Sequence, residues 1–384
     1  MKHRPLLLLI CLLPCLQLHA TGQEADIIYY EGHQYDLLAR PILQNDKLVK
    51  QIYAYAGNDL SYTTANWEGI MGYWSIDGGQ LVLDSVGYCS KGDRYALLDR
   101  KSFRKIFKPY RLRHRVVASW VSGEIRLGAG KVILYEHNAF VRNYEGEMII
   151  DVKEGNIVSY KTFRNRVFPG LTLEDVVQKD SIEKHIPMDD IPELQGKRVV
   201  VKVSLTANQY VQGIDSCKVT IINQKPDTLS VSAQQRLKTV VANSLIATYP
   251  LKQHSIYGRK IIAMNPYFFT LDGRRPTRGP IFTQCDTMPE FPGGQKAMYD
   301  FIYSHVQWPA IARDWKGNWR VIMQFVVEKD GSLTCPQFLR RAGVPFEVEV
   351  LKMWRQLPRF KPAVKDGQPV RFWFILPVKF SDNA

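Results

Sequence analysis

Polar and apolar residues alternate through much of the first 165 positions, with glycines at the breaks. Trp74 and Ile76 alternate ahead of Asp77-Gly78-Gly79, and Leu81 and Leu83 resume the pattern beyond it. Period two marks a half-buried strand, and glycine accepts the positive φ of a tight turn, so this stretch predicts a hairpin. Val116 to Ile125, Lys131 to Tyr135 and Glu147 to Val152 predict further strands, with another turn at Lys153-Glu154-Gly155-Asn156. Residues 24–165 therefore read as a mostly antiparallel β unit. Within it, Asp99 to Phe107 fits a helix or a loop.

The period then changes. From Leu171 to His185 the apolar residues recur at helical spacing, and Lys197 to Leu205 alternates as a strand. Ile214 to Ile222 predicts a return strand. Val231 to Tyr249 predicts a helix with Leu237, Val240, Val241, Leu245 and Ile246 on one face. Arg259 to Leu271 predicts a last strand, with Pro266 marking an edge or bulge. After a Gly-, Arg- and Pro-rich linker at 276–288 the same order returns: helix Gln295 to His305, strand Trp319 to Glu328, turn Asp330-Gly331 and strand Leu333 to Arg340. Helix Phe346 to Gln356 and strand Val370 to Phe380 complete it.

The two series correspond residue by residue. Phe168-Pro169-Gly170 answers Phe291-Pro292-Gly293, Ile186-Pro187 answers Trp308-Pro309, and Gly196 answers Gly317. Val199, Val201, Val203 and Leu205 answer Val321, Met323, Phe325 and Val327; Leu237-Lys238 answers Leu351-Lys352. Pro250 answers Pro362, and Ile261 to Phe269 answers Phe372 to Phe380. Such an internal repeat means two copies of one small fold, at 166–275 and 289–384. Each αββαβ copy predicts two helices on a three-stranded antiparallel sheet. The expected fold class is α+β, two tandem copies preceded by a mostly β N-terminal domain.

Composition narrows the setting. Met1-Lys2-His3-Arg4, an apolar run from Leu6 to Leu18 and Ala20 have the form of a secretory signal peptide with cleavage after Ala20. The run is shorter than the roughly 20 residues a spanning helix needs, so an exported protein is expected. The net charge of +14 favours an anionic neighbour such as a membrane surface, an acidic glycan or an acidic protein. Export argues against nucleic acid. Arg111-Leu112-Arg113-His114-Arg115 reads as a solvated face.

Little chemistry is written locally. Cys89, Cys217, Cys285 and Cys335 allow three complete pairings or none, and no C-x-x-C spacing is present. Histidines 33, 114, 137, 185, 254 and 305 lack metal-ligand spacing, so no metal or cofactor is expected. Gly128-Ala129-Gly130-Lys131 lacks the flanking residues of a phosphate loop and reads as a β-turn. Asp189-Asp190 reads as a turn or a helix start. No nucleophile elbow stands out, so a non-enzymatic protein is expected, with a hydrolase-type N-terminal domain as the alternative.

The C-terminal copy has a further signature. Pro289-Glu290-Phe291-Pro292-Gly293-Gly294, Trp308-Pro309, the run Val321 to Leu333, Leu357-Pro358-Arg359-Phe360-Lys361-Pro362 and Leu376-Pro377-Val378-Lys379-Phe380 together resemble the C-terminal domain of the TonB family of energy transducers. The resemblance covers 289–380, and reaches 168–269 only through the repeat. Trp319 stands where that family has Gly, which implies an altered loop before the first strand. The resemblance implies a periplasmic location and binding of an outer-membrane receptor's periplasmic segment by strand addition, in connection with transmembrane transport. Carried over by position, the partner-binding residues are Val370, Arg371, Trp373, Ile375, Val378 and Phe380, with a break of period at Pro377. No Pro-rich spacer precedes the domain. An anchored, complete transducer and a non-catalytic envelope-binding protein are the alternative readings.

Overall fold

A computed structural model of the chain describes residues 22–92, 94–136, 139–178, 186–222, 229–273, 278–315 and 317–381. The signal segment, its cleavage site, His137 and His185 lie outside the described residues. The chain divides after Asn165 into two units.

The first unit is a barrel. Its strands are β1 Asp26–Tyr30, β2 His33–Leu37, β3 Ile70–Asp77, β4 Gln80–Tyr88, β5 Ala96–Leu97, β6 Arg111–Leu112, β7 Arg115–Val117, β8 Gly123–Tyr135, β9 Arg142–Lys153 and β10 Asn156–Arg164. Helices α1 (Asp46–Ala56) and α2 (Arg100–Ile106) interrupt them. The sheet runs β10-β9-β8-β2-β1-β3-β4 and returns to β10 through Asn156 opposite Gln80. Closure removes edges that an open sheet would expose. The expectation of a mostly β unit is met in a closed form, and one pair, β1 with β3, is parallel.

A buried polar cluster sits in this core. Trp74 Nε1 donates to Asp26 Oδ2 at 2.9 Å, and Arg40 pairs with the same carboxylate. Burial pushes the Asp26 carboxyl up, while Arg40 and Trp74 pull it back. Gly72 makes room for this contact, since a Cβ there would lie 2.2 Å from the indole nitrogen. Gly128 to Lys131 is not a turn: it continues β8 through a bulge opposite β9. A Cβ at Gly128 would lie 2.2 Å from the Tyr144 ring, so glycine there serves packing.

The second unit holds two α+β layers. The first comprises β11 Arg166–Phe168, α3 Leu173–Gln178, β12 Arg198–Ala207, β13 Ile214–Ile221, α4 Val231–Ile246, β14 Gln253–Ile256, β15 Arg259–Ile261 and β16 Tyr267–Asp272. Its main sheet has the order β13-β12-β16, and Val199, Val201, Val203 and Leu205 point into one core with Leu237 and Val241 of α4. The expected single strand from Arg259 to Leu271 is two strands in two different sheets. Between them the Asn265 side chain takes a strand's place: it accepts from Leu205 N at 3.0 Å and donates to Leu205 O at 2.7 Å.

The second layer comprises β17 Ile281–Phe282, α5 Gly294–His305, β18 Asn318–Val327, β19 Leu333–Arg340, α6 Val344–Trp354, β20 Ala363–Lys365 and β21 Gln368–Ser381. Its sheet has the order β17-β21-β18-β19, with all pairs antiparallel except β17 on β21. The expected linker thus supplies a strand. Both layers run helix, strand, strand, helix, strand, and Gly196 and Gly317 both hold positive φ ahead of the central strand. The pairing corrects the correspondence of the last strands. Val201 faces Phe269, and Met323 faces Leu376, so Phe269 answers Leu376 rather than Phe380.

Candidate functional site

The longest strand of the second unit, β21, is built by alternation. Phe374, Leu376, Val378 and Phe380 turn inward onto Phe325, Phe346, Met353 and Phe360, and Phe372 joins Val370 and Ala363 in a separate small core, whereas Trp373, Ile375, Pro377 and Lys379 turn outward. Aromatic contacts tie the inner face together. Phe325 and Phe374 ring centres lie 5.5 Å apart, and Phe346 and Phe380 lie 4.9 Å apart. Trp319 stacks on Phe346 at 5.2 Å.

The alternation crosses Pro377 unbroken. Pro377 lies opposite Ile322 in a ladder that runs without a register shift from Asn318–Ser381 to Val327–Phe372. The expected break of period there is therefore absent. A proline carries no N–H and is tolerated where its nitrogen faces away from the paired strand. By period two, Ile375 and Lys379 then present N–H and C=O on the side away from β18, and Pro377 presents only C=O.

That side is partly covered. β20 pairs with residues 368–370 of β21, and β17 lies beside Arg371 and Phe372. Among the described residues, β18 is the one strand laid along residues 375–381.

The six residues expected to meet a partner fall into different places. Ile375 is 55 % exposed and Trp373 is half-buried. Val370, Val378 and Phe380 are buried, so their side chains serve the core and only their backbone could serve a partner. Arg371 is also buried, at 1 % exposure, and its guanidinium is fully engaged. Nε and Nη2 donate to the two oxygens of Glu328 at 2.7 and 3.2 Å, and Nη1 donates to Asp189 Oδ2 and Gly279 O, both at 2.6 Å. Burial alone would lower its pKa, but the bonds to Glu328 and Asp189 outweigh burial and raise it. Arg371 is thus a clasp that draws the turn at Met188–Asp190 and the linker onto the C-terminal sheet. The sequence reading missed Glu328 and Asp189 as partners. Its only signal was a cation among the aromatics of a core strand.

Further contacts join the two layers. Arg341 donates to Asp215 O at 3.3 Å, and Arg355 donates to Tyr249 O. Ser232, Gln235, Arg236 and Thr239 of α4 face Gln324, Gln337 and Trp373 across a cavity of about 600 Å³. The outward face of the C-terminal sheet is therefore partly roofed by the helix of the other layer. Among the described residues no group of three or more His, Cys, Asp or Glu is placed to hold a metal ion.

This strand order and helix placement accompany a family match. Residues 304–381 match the family described as the Gram-negative bacterial TonB protein C-terminal. The chain carries a TonB C-terminal domain. The match starts after Phe291-Pro292-Gly293-Gly294 and nearly all of α5, and it includes the whole of β18, β19, α6 and β21. No curated protein and no solved structure matches the chain. Proteins with this domain are in general tied to the envelope, to transport and to outer-membrane receptors.

Proposed function

We propose that the TonB C-terminal domain binds an extended segment of a partner, an outer-membrane receptor's periplasmic stretch, by adding it as a strand along residues 375–381 of β21. The observation that carries this is the length of β21. The strand runs 14 residues, and β17 and β20 flank only its first five, 368–372. Strand addition uses main-chain bonds for affinity and side-chain alternation for specificity. Ile375 and Lys379 would supply both donor and acceptor, whereas Pro377 would supply an acceptor alone.

The role is binding and not catalysis, carried out in the periplasm after removal of residues 1–20. Residues 166–275 are a diverged copy of the same domain, as their shared element order supports. An anchored, complete transducer remains the alternative, and an intact mass beginning at Thr21 would dismiss it.

Ile375→Pro tests the edge. Its nitrogen would face away from β18, as that of Pro377 does, so the domain should stay folded while one outward donor is lost. Titration with peptides from the periplasmic segments of receptors should show affinity falling about tenfold. Unchanged affinity in the folded variant would refute binding along this edge.

A further inference from the structure

The charge of the first unit is segregated. Residues 100–115 contain eight Lys or Arg, and no acid occurs from 100 to 123. The rest of 22–165 holds 11 Lys or Arg against 17 Asp or Glu, so this one segment makes the unit basic. It comprises α2, a short 3-10 turn and the β6–β7 hairpin.

Three observations distinguish it from an ordinary solvated face. Arg100, Lys101, Arg104, Lys105, Lys108, Arg111 and Arg113 are all exposed. Among the described residues, Arg115 alone of the eight is in an ion pair, with Asp77. Mutual repulsion is thus left standing, a cost that an anionic partner relieves. Second, leucines are exposed among the cations. Leu112 is 50 % exposed between Arg111 and Arg113, at the turn where Arg113 holds φ +57°, and Leu97, just ahead of α2, is 57 % exposed. Third, the segment's aromatics are turned inward. Tyr110 lies edge-on to Trp120 at 4.6 Å and Phe103 packs on Phe107 at 4.8 Å, leaving no ring platform for bases or sugars.

From these we propose that the α2–β6–β7 face is a docking surface for an anionic phospholipid bilayer, with Leu112 entering the headgroup boundary and the cations above the phosphates. Cations beside exposed leucines are the pattern of interfacial binding, in which apolar insertion and attraction to anionic lipid act together. A soluble polyanion would use the cations and gain nothing from Leu112.

The test is co-sedimentation of the chain with vesicles of phosphatidylcholine alone, or with about 30 % phosphatidylglycerol. Binding is expected only to the anionic vesicles. Each neutralised cation should cost about fivefold, so Lys108→Gln/Arg111→Gln/Arg113→Gln should weaken binding about a hundredfold. Leu112→Ser should weaken it about fivefold. The control Lys218→Gln/Lys329→Gln neutralises exposed cations of the other unit and should change little. Absence of binding to anionic vesicles, or a triple variant that binds as well as the parent, would overturn the proposal. Binding to vesicles and to dextran sulfate alike, unaffected by Leu112→Ser, would also overturn it and assign the face to polyanions.

Discussion

Asp189 and Arg371 stand 182 positions apart in sequence and meet at 2.6 Å, with both side chains almost wholly out of water. Removing one member of a buried pair leaves an uncompensated charge, at about 3–5 kcal/mol. Arg371 keeps Glu328 when Asp189 is lost, so Asp189→Asn should cost less, about 2 kcal/mol. Glu328→Gln removes the bidentate partner and should cost about 4 kcal/mol. Because both carboxylates share one guanidinium, the double variant should depart from additivity by about 1 kcal/mol or more. Urea unfolding followed by circular dichroism measures all three. Equal, additive effects would mean that Arg371 does not couple the two layers.

Two glycines of the TonB C-terminal domain share a backbone conformation and differ in surroundings. Gly331 has φ +80° and a Cβ there would lie 2.0 Å from Phe360 O, whereas Gly367 has φ +74° and open space. Gly367→Ala should cost about 1 kcal/mol, the conformational penalty alone. Gly331→Ala adds a clash with backbone that itself donates to Gly331 O at 2.9 Å, so about 3 kcal/mol or more is expected. A similar loss at both sites would show that φ, not space, sets the cost.

The four cysteines beyond residue 21 are free thiols. Burial pushes Cys217 up to about 12 and Cys335 up to about 11, so neither offers thiolate near neutrality. Iodoacetamide at about pH 8 should therefore label the partly exposed Cys285 first in the folded protein. In denaturant without reductant all four should be labelled, as read by mass. Labelling of only two would reveal a disulfide.

The regular elements were legible because burial on one face writes period two or 3.6 into the residues. Val321, Met323, Phe325 and Val327 illustrate this on β18, and Val199 to Leu205 on β12. Closure of the barrel was not legible, since Asn156 and Gln80 meet through tertiary geometry that leaves no local pattern. Pro266 marked an irregularity beside Asn265, but the split into two sheets was hidden because an amide side chain there imitates backbone. For the candidate site, the strand itself was visible, but its partition was not. Arg371 was assigned to a partner by its position in the resemblance, and the compensating Glu328 and Asp189 lie too far away in sequence to have shown that it is buried. Pro377 was misjudged for a related reason. Sequence shows that a donor is missing but not toward which neighbour it is missing.

Helix α2 displays four of the exposed cations, and Asp99 holds its start. The Asp99 carboxylate accepts from Lys101 N at 2.8 Å and Ser102 N at 3.0 Å. A bond from the Ser102 side chain lowers its pKa most, and together with these backbone bonds it brings it from 3.8 to about 2. A carboxyl depressed in the folded state contributes stability above its unfolded pKa and loses it as pH falls through the folded one. The cap should therefore be fully effective above about pH 4 and fade as pH falls toward about 2. Amide exchange at Phe103 and Phe107, whose N–H groups close the helix on Asp99 O and Phe103 O, reads this directly. Protection there should drop across that window in the parent. In Asp99→Ala it should be low throughout and insensitive to pH, while Asp99→Ser should stay close to the parent near neutrality because serine also caps. If Asp99→Ala kept the parent's protection near neutrality, the packing of Phe103 on Phe107 and of Phe107 on Trp120, and not the cap, would be what holds α2 in place.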